Sequence, residues 1–308
     1  HRAIRTAPRF PGVWGGQLTL EEALQHLAAL PLDTIPAPAP LPPGSRMPLS
    51  PNPLFVGRAA DLQTLAAALK GKALAALGPI AAATGLGGIG KTQLASEFVH
   101  RYGEFFAGGV CWLSFVDPAA VPAEVAACGD PGALALHPDF GTLPFKDQVE
   151  LVQAAWQSPL PRLLVFDNCE DEALLAQWRP PSGGCRVLVT SRRAQWDAAL
   201  GVHVLPLGGL SRAESIALLR QHRPDLPADA PALPAIAAEL GDLPLALHLA
   251  GCFLVRYQHE VTSTAYLAQL QQPDLLRHPS LQGRQLSRTL SPTRHEQHVA
   301  RTFALSYE

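Results

Sequence analysis

The sequence predicts an α/β protein, in which a parallel β-sheet is flanked by helices and followed by a small all-helical domain. Three observations support this prediction. Several apolar runs lack the polar alternation of half-exposed strands, helical stretches separate these runs, and a glycine-rich loop stands between a strand and a helix. Strands that are apolar on both sides are typical of parallel sheets covered on both faces.

The elements can be placed in order from residue 54. A helix fits 59–70, because leucines 62, 65 and 69 lie on one face. A short strand over 79–84 leads into the loop "GLGGIGKT" at 85–92, and a helix over 91–102 leads out of it. The other predicted strands cover 109–116, 162–167, 185–191 and 202–207. Only helices follow residue 208, over 211–221, 231–240, 244–257 and 263–270.

The regions outside these elements suggest the domain boundaries. Residues 1–30 hold one helix, after Thr19, and are interpreted as the tail of an upstream region. Residues 31–53 contain nine prolines in 23 positions, which predicts an extended, unpacked and semi-rigid linker. Residues 54–208 are assigned to the sheet domain and 209–278 to the helical domain. Residues 279–308 end in a further helical stretch, 295–308, and the chain is expected to be a piece of a longer protein.

Composition excludes some classes of function. The 308 residues suit about two domains of roughly 150 residues. A net charge of −2 gives no reason to expect binding to nucleic acid or to an anionic membrane. Five cysteines and eleven histidines are scattered without the spacing of a zinc site or a disulfide framework, so a cytoplasmic protein is predicted. No apolar run reaches the roughly 18 residues of a membrane span.

The loop "GLGGIGKT" has the pattern G-x-x-x-x-G-K-[ST] of a phosphate-binding P-loop. Its glycines would let the backbone approach a phosphate, so that successive N–H groups form an anion nest at a helix N-terminus. Lys91 would then reach the β- and γ-phosphates, and the Thr92 hydroxyl would ligate Mg²⁺. The alternative is a flexible glycine turn without a ligand. The predicted binding residues of the loop are Gly85, Gly87, Gly88, Ile89, Gly90, Lys91, Thr92 and Gln93.

An acidic residue for the metal follows the apolar run "RLLVFD". This run would deliver Asp167 to the carboxyl end of its strand, where α/β sheets place ligands. Asp167 is predicted to hold Mg²⁺ through water, because magnesium keeps much of its hydration shell. The alternative is an aspartate that only ends a strand in a turn.

Five motifs together resemble those of the NB-ARC family of signal-transduction ATPases, which belong to the STAND class. They are "LFVGR" (54–58), the P-loop, "LLVFDN" (163–168), "VLVTSR" (187–192) and "GDLPLAL" (241–247), in that order. The resemblance covers residues 54–308. It implies a P-loop nucleotide-binding domain, a helical lid and, over 279–308, the truncated start of a winged-helix domain.

The resemblance also implies roles for single residues. Val56 and Arg58 match the residues that line the adenine side of the pocket. Arg192 matches an arginine that senses the γ-phosphate, and Pro244 matches a proline that packs on the adenine. Each has a structural alternative: a solvated charge at a helix start for Arg58, an exposed basic pair for Arg192, and a first-turn proline after an Asp242 cap for Pro244.

One departure concerns hydrolysis. Asn168 follows Asp167, where many hydrolysing relatives carry a second acid, and an amide cannot take a proton from the attacking water. The chain is therefore predicted to be a slow ATP hydrolase at most.

The predicted function is an ATP/ADP-dependent switch that uses Mg²⁺ and controls self-association and an attached effector, with a sensor domain downstream. Two alternatives stay open. One is an AAA+-like ATPase with continuous turnover, and the other is a scaffold whose nucleotide is never hydrolysed. The activating ligand, the effector and the oligomer size do not follow from the sequence.

Overall fold

The computed structural model describes residues 18–71, 79–227, 230–272 and 278–281. Its centre is one five-stranded sheet in the order β2-β3-β4-β1-β5, and every neighbouring pair is parallel. All five predicted strands are confirmed. The strands are β1 (Ile80–Thr84), β2 (Val110–Ser114), β3 (Arg162–Asp167), β4 (Cys185–Ser191) and β5 (Val202–Pro206).

The register of the sheet brings three polar strand ends to one edge. Thr84, the last residue of β1, is paired with Ser191, the last residue of β4. Asp167 ends β3, the other neighbour of β4, where Phe166 pairs with Val189. Because all the strands are parallel, these carboxyl ends lie side by side at the edge where such sheets place ligands.

Helices flank the sheet, and their buried side chains form the hydrophobic core together with those of the strands. The predicted helices 59–70 and 91–102 are confirmed with those bounds. Buried side chains of α4 to α6, among them Val125, Trp156 and Leu175, form one apolar cluster with strand residues such as Phe166. The helices are α2 (Ala59–Lys70), α3 (Lys91–Tyr102), α4 (Val121–Ala127), α5 (Phe145–Trp156) and α6 (Glu172–Trp178).

The proline-rich segment 31–53 is extended, but the prediction that it is unpacked was wrong. Arg46 pairs with β2, donating its N–H to Val110 O at 2.7 Å and accepting the N–H of Trp112 at 2.9 Å. Ala39 N and the imidazole of His100 add hydrogen bonds between the segment and α3. Proline removes some donors from such a stretch, but the residues between the prolines keep theirs and use them here. The segment is preceded by α1 (Leu20–Ala28), whose predicted start is confirmed by a capping box of Thr19 with Glu22.

The described part of the chain divides into two compact units. The first, the sheet unit, falls within His1–Pro51, Ala59–Thr84 and Leu94–Pro206. The second, the lid unit, falls within Asn52–Arg58, Gly85–Gln93 and Leu207–Glu308, so that the glycine loop groups with the helices that follow the sheet.

Four helices build the core of the lid unit. Their predicted positions after residue 208 are confirmed to within one residue at every end. Leu219, Ile236, Leu247 and Tyr266, one from each helix, are fully buried in a single apolar cluster. The helices are α7 (Arg212–His222), α8 (Ala232–Glu239), α9 (Pro244–Arg256) and α10 (Ser263–Leu270). Among the described helices, none combines the length and the apolar character that crossing a lipid bilayer requires. The predicted helix 295–308 lies outside the described residues.

Two histidines sit between α7 and α9 in the lid unit. His222 Nε2 and His248 Nδ1 are 3.2 Å apart. Burial, reinforced by the nearby His248, lowers the pKa of His222 from 6.5 to about 4, and burial also lowers the pKa of His248. Both rings are therefore neutral in the folded protein at neutral pH.

Acid is expected to destabilise the lid unit through His222. The pKa of His222 is lower in the folded protein than in the unfolded chain. The contribution of the neutral imidazole to the free energy of unfolding is therefore complete above pH 6.5 and is lost as the pH falls toward about 4. The shift corresponds to about 3 kcal/mol, which partial solvation of the half-buried ring reduces to about 1–2 kcal/mol. Thermal unfolding between pH 7 and 4, with a chelator present, measures this loss. His222→Gln should flatten the profile, and His259→Gln, an exposed position, should leave it unchanged; equal profiles for all three proteins would contradict the assignment.

Candidate nucleotide-binding site

The glycine loop has the backbone context that a P-loop requires. It follows β1 directly and ends at the first residue of α3. Gly85, Gly88 and Gly90 have φ values of 144°, 73° and 95°, which side-chain-bearing residues rarely adopt. Gly87, the fourth glycine of the loop, is not among the residues with positive φ. The loop N–H groups and the N-terminus of α3 together suit an anion.

The ammonium group of Lys91 lies over this loop. Its Nζ donates to the carbonyl oxygens of Gly85 and Leu86, both at 2.8 Å. Thr92 follows in the first turn of α3, and Gln93 accepts a hydrogen bond from the side-chain amide of Asn52 at 3.0 Å. The loop backbone thus positions Lys91, and both would bind phosphate together.

Arg58 connects the "VGR" segment to the loop. Its Nη2 donates to Ile89 O at 3.0 Å and to Gly208 O at 2.8 Å. Its own N–H donates to Glu214 at 3.1 Å, and its φ of 61° marks a tight turn. These bonds hold Arg58 beside the loop, and its position directly before α2 is the helix start that the structural alternative assumed.

Glu214 is a partner that the sequence prediction missed. Burial raises the pKa of its carboxyl, but hydrogen bonds from Ser211 and Arg58 outweigh burial and the net pKa is lowered. A Cβ atom at Gly57 would collide with this carboxylate. The capping box of Ser211 and Glu214 is readable from the spacing S-x-x-E. The second role of the carboxylate, which is to accept the N–H of Arg58, has no signal in the sequence.

Pro244 begins α9 against the same loop. A Cβ atom built on Gly90 would lie 3.8 Å from Pro244 Cγ, and one built on Gly88 would lie 3.2 Å from Leu245 Cβ. The N–H of Leu245 donates to Gly88 O at 3.3 Å. The helix start of the lid therefore touches the glycine loop through the proline and its neighbour.

The Asp242 cap considered for α9 is not formed. The N-cap residue is Leu243, and its side chain makes no cap hydrogen bond. Asp242 instead forms a bidentate ion pair with Arg212, with bonds of 2.9 and 2.8 Å. Val56, the other residue of the "VGR" segment, is half-buried and packs against the apolar cluster of the lid unit.

The predicted metal acid lies in the sheet unit. Asp167 is 7% exposed and accepts a hydrogen bond from Thr190 Oγ1 at 2.6 Å. The same hydroxyl accepts the N–H of Asn168 at 2.8 Å, and Asn168 turns the chain with a φ of 63°. Thr190 thus orients the carboxylate, a role that its place in "VLVTSR" did not reveal.

Glu170 is the second acid near the strand ends, and it holds the predicted sensor segment. Its carboxylate accepts from Ser191 Oγ at 2.8 Å and from the Arg192 N–H at 2.9 and 3.0 Å. Arg192 Nε lies 3.4 Å from the same group, and the side chain is 64% exposed. The adjacent Arg193 pairs with Glu172 instead. Of the predicted basic pair, each arginine therefore has its own acidic partner.

The predicted site residues fall into two groups, each inside one compact unit. The lid unit contains the glycine loop, Val56, Arg58 and Pro244, and contacts join the loop to Arg58 and Pro244. The sheet unit contains Asp167 and Arg192, which are linked to their neighbours by Thr190 and Glu170.

No family model matches the chain. The chain is 30% identical over 242 residues to the regulatory protein AfsR of Streptomyces coelicolor, which is 76% of this chain and 24% of AfsR. It therefore spans about a quarter of the length of that relative.

Two solved structures resemble the fold. A chain in the structure of Drosophila ORC bound to DNA matches with a TM-score of 0.50 and 13% identity, over 88% of this chain and 70% of that one. The Walker-type ATPase of Pyrococcus abyssi matches with a TM-score of 0.47 and 11% identity, over 70% and 71%. The parallel five-stranded sheet, flanked by helices and joined through a glycine loop to α3, gives this chain the fold of P-loop NTPases.

Proposed function

We propose that this segment is a nucleotide-binding switch module, in which ADP or ATP, with Mg²⁺, selects between two states of a longer regulatory protein. The observation that carries the proposal is the convergence of three predicted elements in the lid unit. Arg58 bonds to the loop at Ile89 O, and Pro244 lies against the loop at Gly90. A nucleotide held there would contact residues from three separate stretches of the chain.

The phosphate chemistry follows from the loop. Its N–H groups and the α3 N-terminus would bind the α- and β-phosphates, and Lys91 would move from its two carbonyl partners to phosphate oxygens. The Thr92 hydroxyl would ligate Mg²⁺. Arg58, Val56 and Pro244 would line the adenine.

The residues present suit a magnesium ion. Asp167 offers a nearly buried carboxylate whose orientation is set by Thr190, and oxygen ligands are what Mg²⁺ takes in proteins. We infer that Asp167 holds the ion through water. When bound, the metal supplies charge neutralisation on the phosphates.

Arg192 is the proposed sensor of the γ-phosphate. Its guanidinium and N–H now interact with Glu170, so a γ-phosphate would compete with that carboxylate for the side chain. The exposed ion pair is weak, about 0–1 kcal/mol, and a phosphate can displace it. Differential contact of this kind is what lets ATP and ADP favour different states.

Replacing Arg192 by alanine tests the sensor. We expect the preference for ATP over ADP to fall about tenfold, because one charge-assisted hydrogen bond to the γ-phosphate is lost, while ADP affinity stays the same. Titration of both nucleotides by calorimetry measures the two affinities separately.

Arg193→Ala is the matched control, because Arg193 is adjacent and bonds to Glu172 and Gln195 O. It should leave both affinities unchanged. An Arg192→Ala protein that still distinguishes ATP from ADP as well as wild type would remove Arg192 from the sensor role.

The regulatory part of the proposal extends beyond this segment. Similarity to a protein named as regulatory supports a regulatory role, and the segment is a quarter of that relative's length. We propose that ATP binding promotes self-association and acts on effector and sensor domains elsewhere in the full-length protein.

A second candidate is a scaffold that binds nucleotide without hydrolysing it. Asn168 stands where a catalytic acid would be, and Glu170, the next acid along the chain, is hydrogen-bonded to Ser191 and Arg192. Single-turnover measurement with labelled ATP and Mg²⁺ separates the candidates. Slow release of phosphate supports the switch, and intact ATP after many hours supports the scaffold.

A further inference from the structure

Three metal-ligating side chains meet between α7 and α9, in a part of the lid unit that the proposed nucleotide site does not use. They are His222, at the last residue of α7, and His248 and Cys252 on α9. The last two are four residues apart and so share one face of the helix. Among the described residues, these three form the one cluster of histidine, cysteine or acidic side chains that is close enough to hold a metal ion.

The distances suit a four-coordinate transition metal. His222 Nε2 lies 3.2 Å from His248 Nδ1, and Cys252 Sγ lies 3.7 Å from the other ring nitrogen of His248, Nε2. His248 gives one nitrogen to an ion, so one of these two contacts becomes a ligand–ligand distance and the other side chain has to shift. Metal–nitrogen and metal–sulfur bonds of about 2.0 and 2.3 Å separate neighbouring ligand atoms in a tetrahedron by about 3.3–3.6 Å. One ligand atom from each of the three residues lies within 4.8 Å of the others, so bringing the farthest pair to a tetrahedral separation takes about 1.5 Å at most.

The surroundings prepare these side chains to act as ligands. Both imidazoles have lowered pKa values because they are buried, so at neutral pH each offers a lone pair. Cys252 is 7% exposed, whereas the two histidines are half-buried and so remain partly open to solvent. A Cβ atom at Gly251 would collide with the ring of His222. The absence of a side chain at position 251 is therefore what allows the three groups to meet.

We propose that His222, His248 and Cys252 bind a zinc-type divalent cation, with water as the fourth ligand. Two neutral nitrogens and one thiolate are the donor set of borderline-soft ions such as Zn²⁺ rather than of Mg²⁺. Binding converts the Cys252 thiol to a thiolate and releases one proton to solvent, with no change of oxidation state. The ion cross-links α7 to α9 one helical turn after Pro244.

Cobalt substitution tests the donor set directly. The chain, purified with a reductant that does not bind metals and stripped with a chelator, is titrated with Co²⁺. We expect one equivalent to give visible d–d bands of tetrahedral intensity and a near-ultraviolet band from cobalt–thiolate charge transfer. Zn²⁺ should then bleach both bands by displacement. A titration without the charge-transfer band overturns the proposal.

Three variants and two controls assign the signal. Cys252→Ser should abolish the charge-transfer band, and His222→Gln or Gly251→Ala should weaken Zn²⁺ binding by roughly a hundredfold, since even outer-shell partners contribute 10–100-fold. Cys128→Ser and His259→Gln should bind as wild type does. If Cys252→Ser does not fold, His222→Gln and Gly251→Ala still decide the case by equilibrium dialysis. Wild-type affinity in these two variants overturns the proposal.

The test is independent of the nucleotide. Lys91→Ala, which targets the phosphate loop, should keep the cobalt spectrum of the wild type. A wild-type protein that binds the metal but not nucleotide contradicts only the proposed function. One that binds nucleotide but not the metal contradicts only the metal site.

Discussion

Lys91→Ala is expected to weaken nucleotide binding by about 30- to 1,000-fold. The loss corresponds to about 2–4 kcal/mol for one or two charge-assisted hydrogen bonds to phosphate. Lys91 is the cation of the glycine loop, and its ammonium group already lies over the loop, 2.8 Å from Gly85 O and Leu86 O. Two measurements check this expectation. One is the nucleotide released by denaturing the purified protein, and the other is the affinity for ADP by calorimetry.

Lys146→Ala is the matched control, because that lysine is exposed and only pairs with Glu150 on its own helix. It should keep the nucleotide content of the wild type. Thermal unfolding without nucleotide should be nearly the same for both variants, since Lys91 is half-buried and water can satisfy the loop carbonyls that it leaves. Retention of nucleotide by a folded Lys91→Ala protein would show that the loop is not the binding site.

Asp167→Asn is expected to remove most of the effect of Mg²⁺ on ATP affinity. The amide can still accept the hydrogen bond from Thr190, so the local fold should persist, but the negative charge that attracts the ion is gone. Because Asp167 is proposed to act through a water molecule, the loss should resemble that of an outer-shell partner, about 10- to 100-fold. Titrations of ATP with Mg²⁺ and with a chelator give the ratio that should shrink.

Asp171→Asn serves as the control for this charge. Asp171 caps α6 through a bond to Ala173 N, and asparagine is an equally good cap, so stability should not change. The wild-type response to Mg²⁺ should persist in this variant. An unchanged response in Asp167→Asn would leave that residue with a role in the turn after β3 only.

Most of the fold could be predicted because its signals are local. Apolar runs such as "RLLVFD" predict buried strands of a parallel sheet when helical stretches separate them, and the glycine pattern marks the junction of β1 and α3. The order of the strands is not local, since β1 lies between β4 and β5, which come much later in the chain. The proline-rich segment was assigned from composition, which gives its extended backbone but not the hydrogen bonds of the residues between the prolines.

The candidate site was predictable as a set of motifs and not as a set of contacts. The residues of the glycine loop, Arg58 and Pro244 each carry a motif, and they lie together. The contacts of Glu214 with Arg58 and of Glu170 with Arg192 have no signal in the sequence, because 156 and 22 positions separate the partners. The contact between His222 and His248 was equally unpredictable, because 26 positions separate them and no motif relates the two.

The backbone pairing of Arg46 with Val110 and Trp112 has a consequence for solubility. β2 is the outermost strand on its side of the sheet, and an outermost strand with free N–H and C=O groups is a template for aggregation. Arg46 occupies two of those groups, and its guanidinium forms an ion pair with Glu124 at 2.8 Å. A recombinant fragment that begins at residue 54, where the motifs start, would lack Arg46. It would expose the edge of β2 and favour aggregation through edge-to-edge strand pairing.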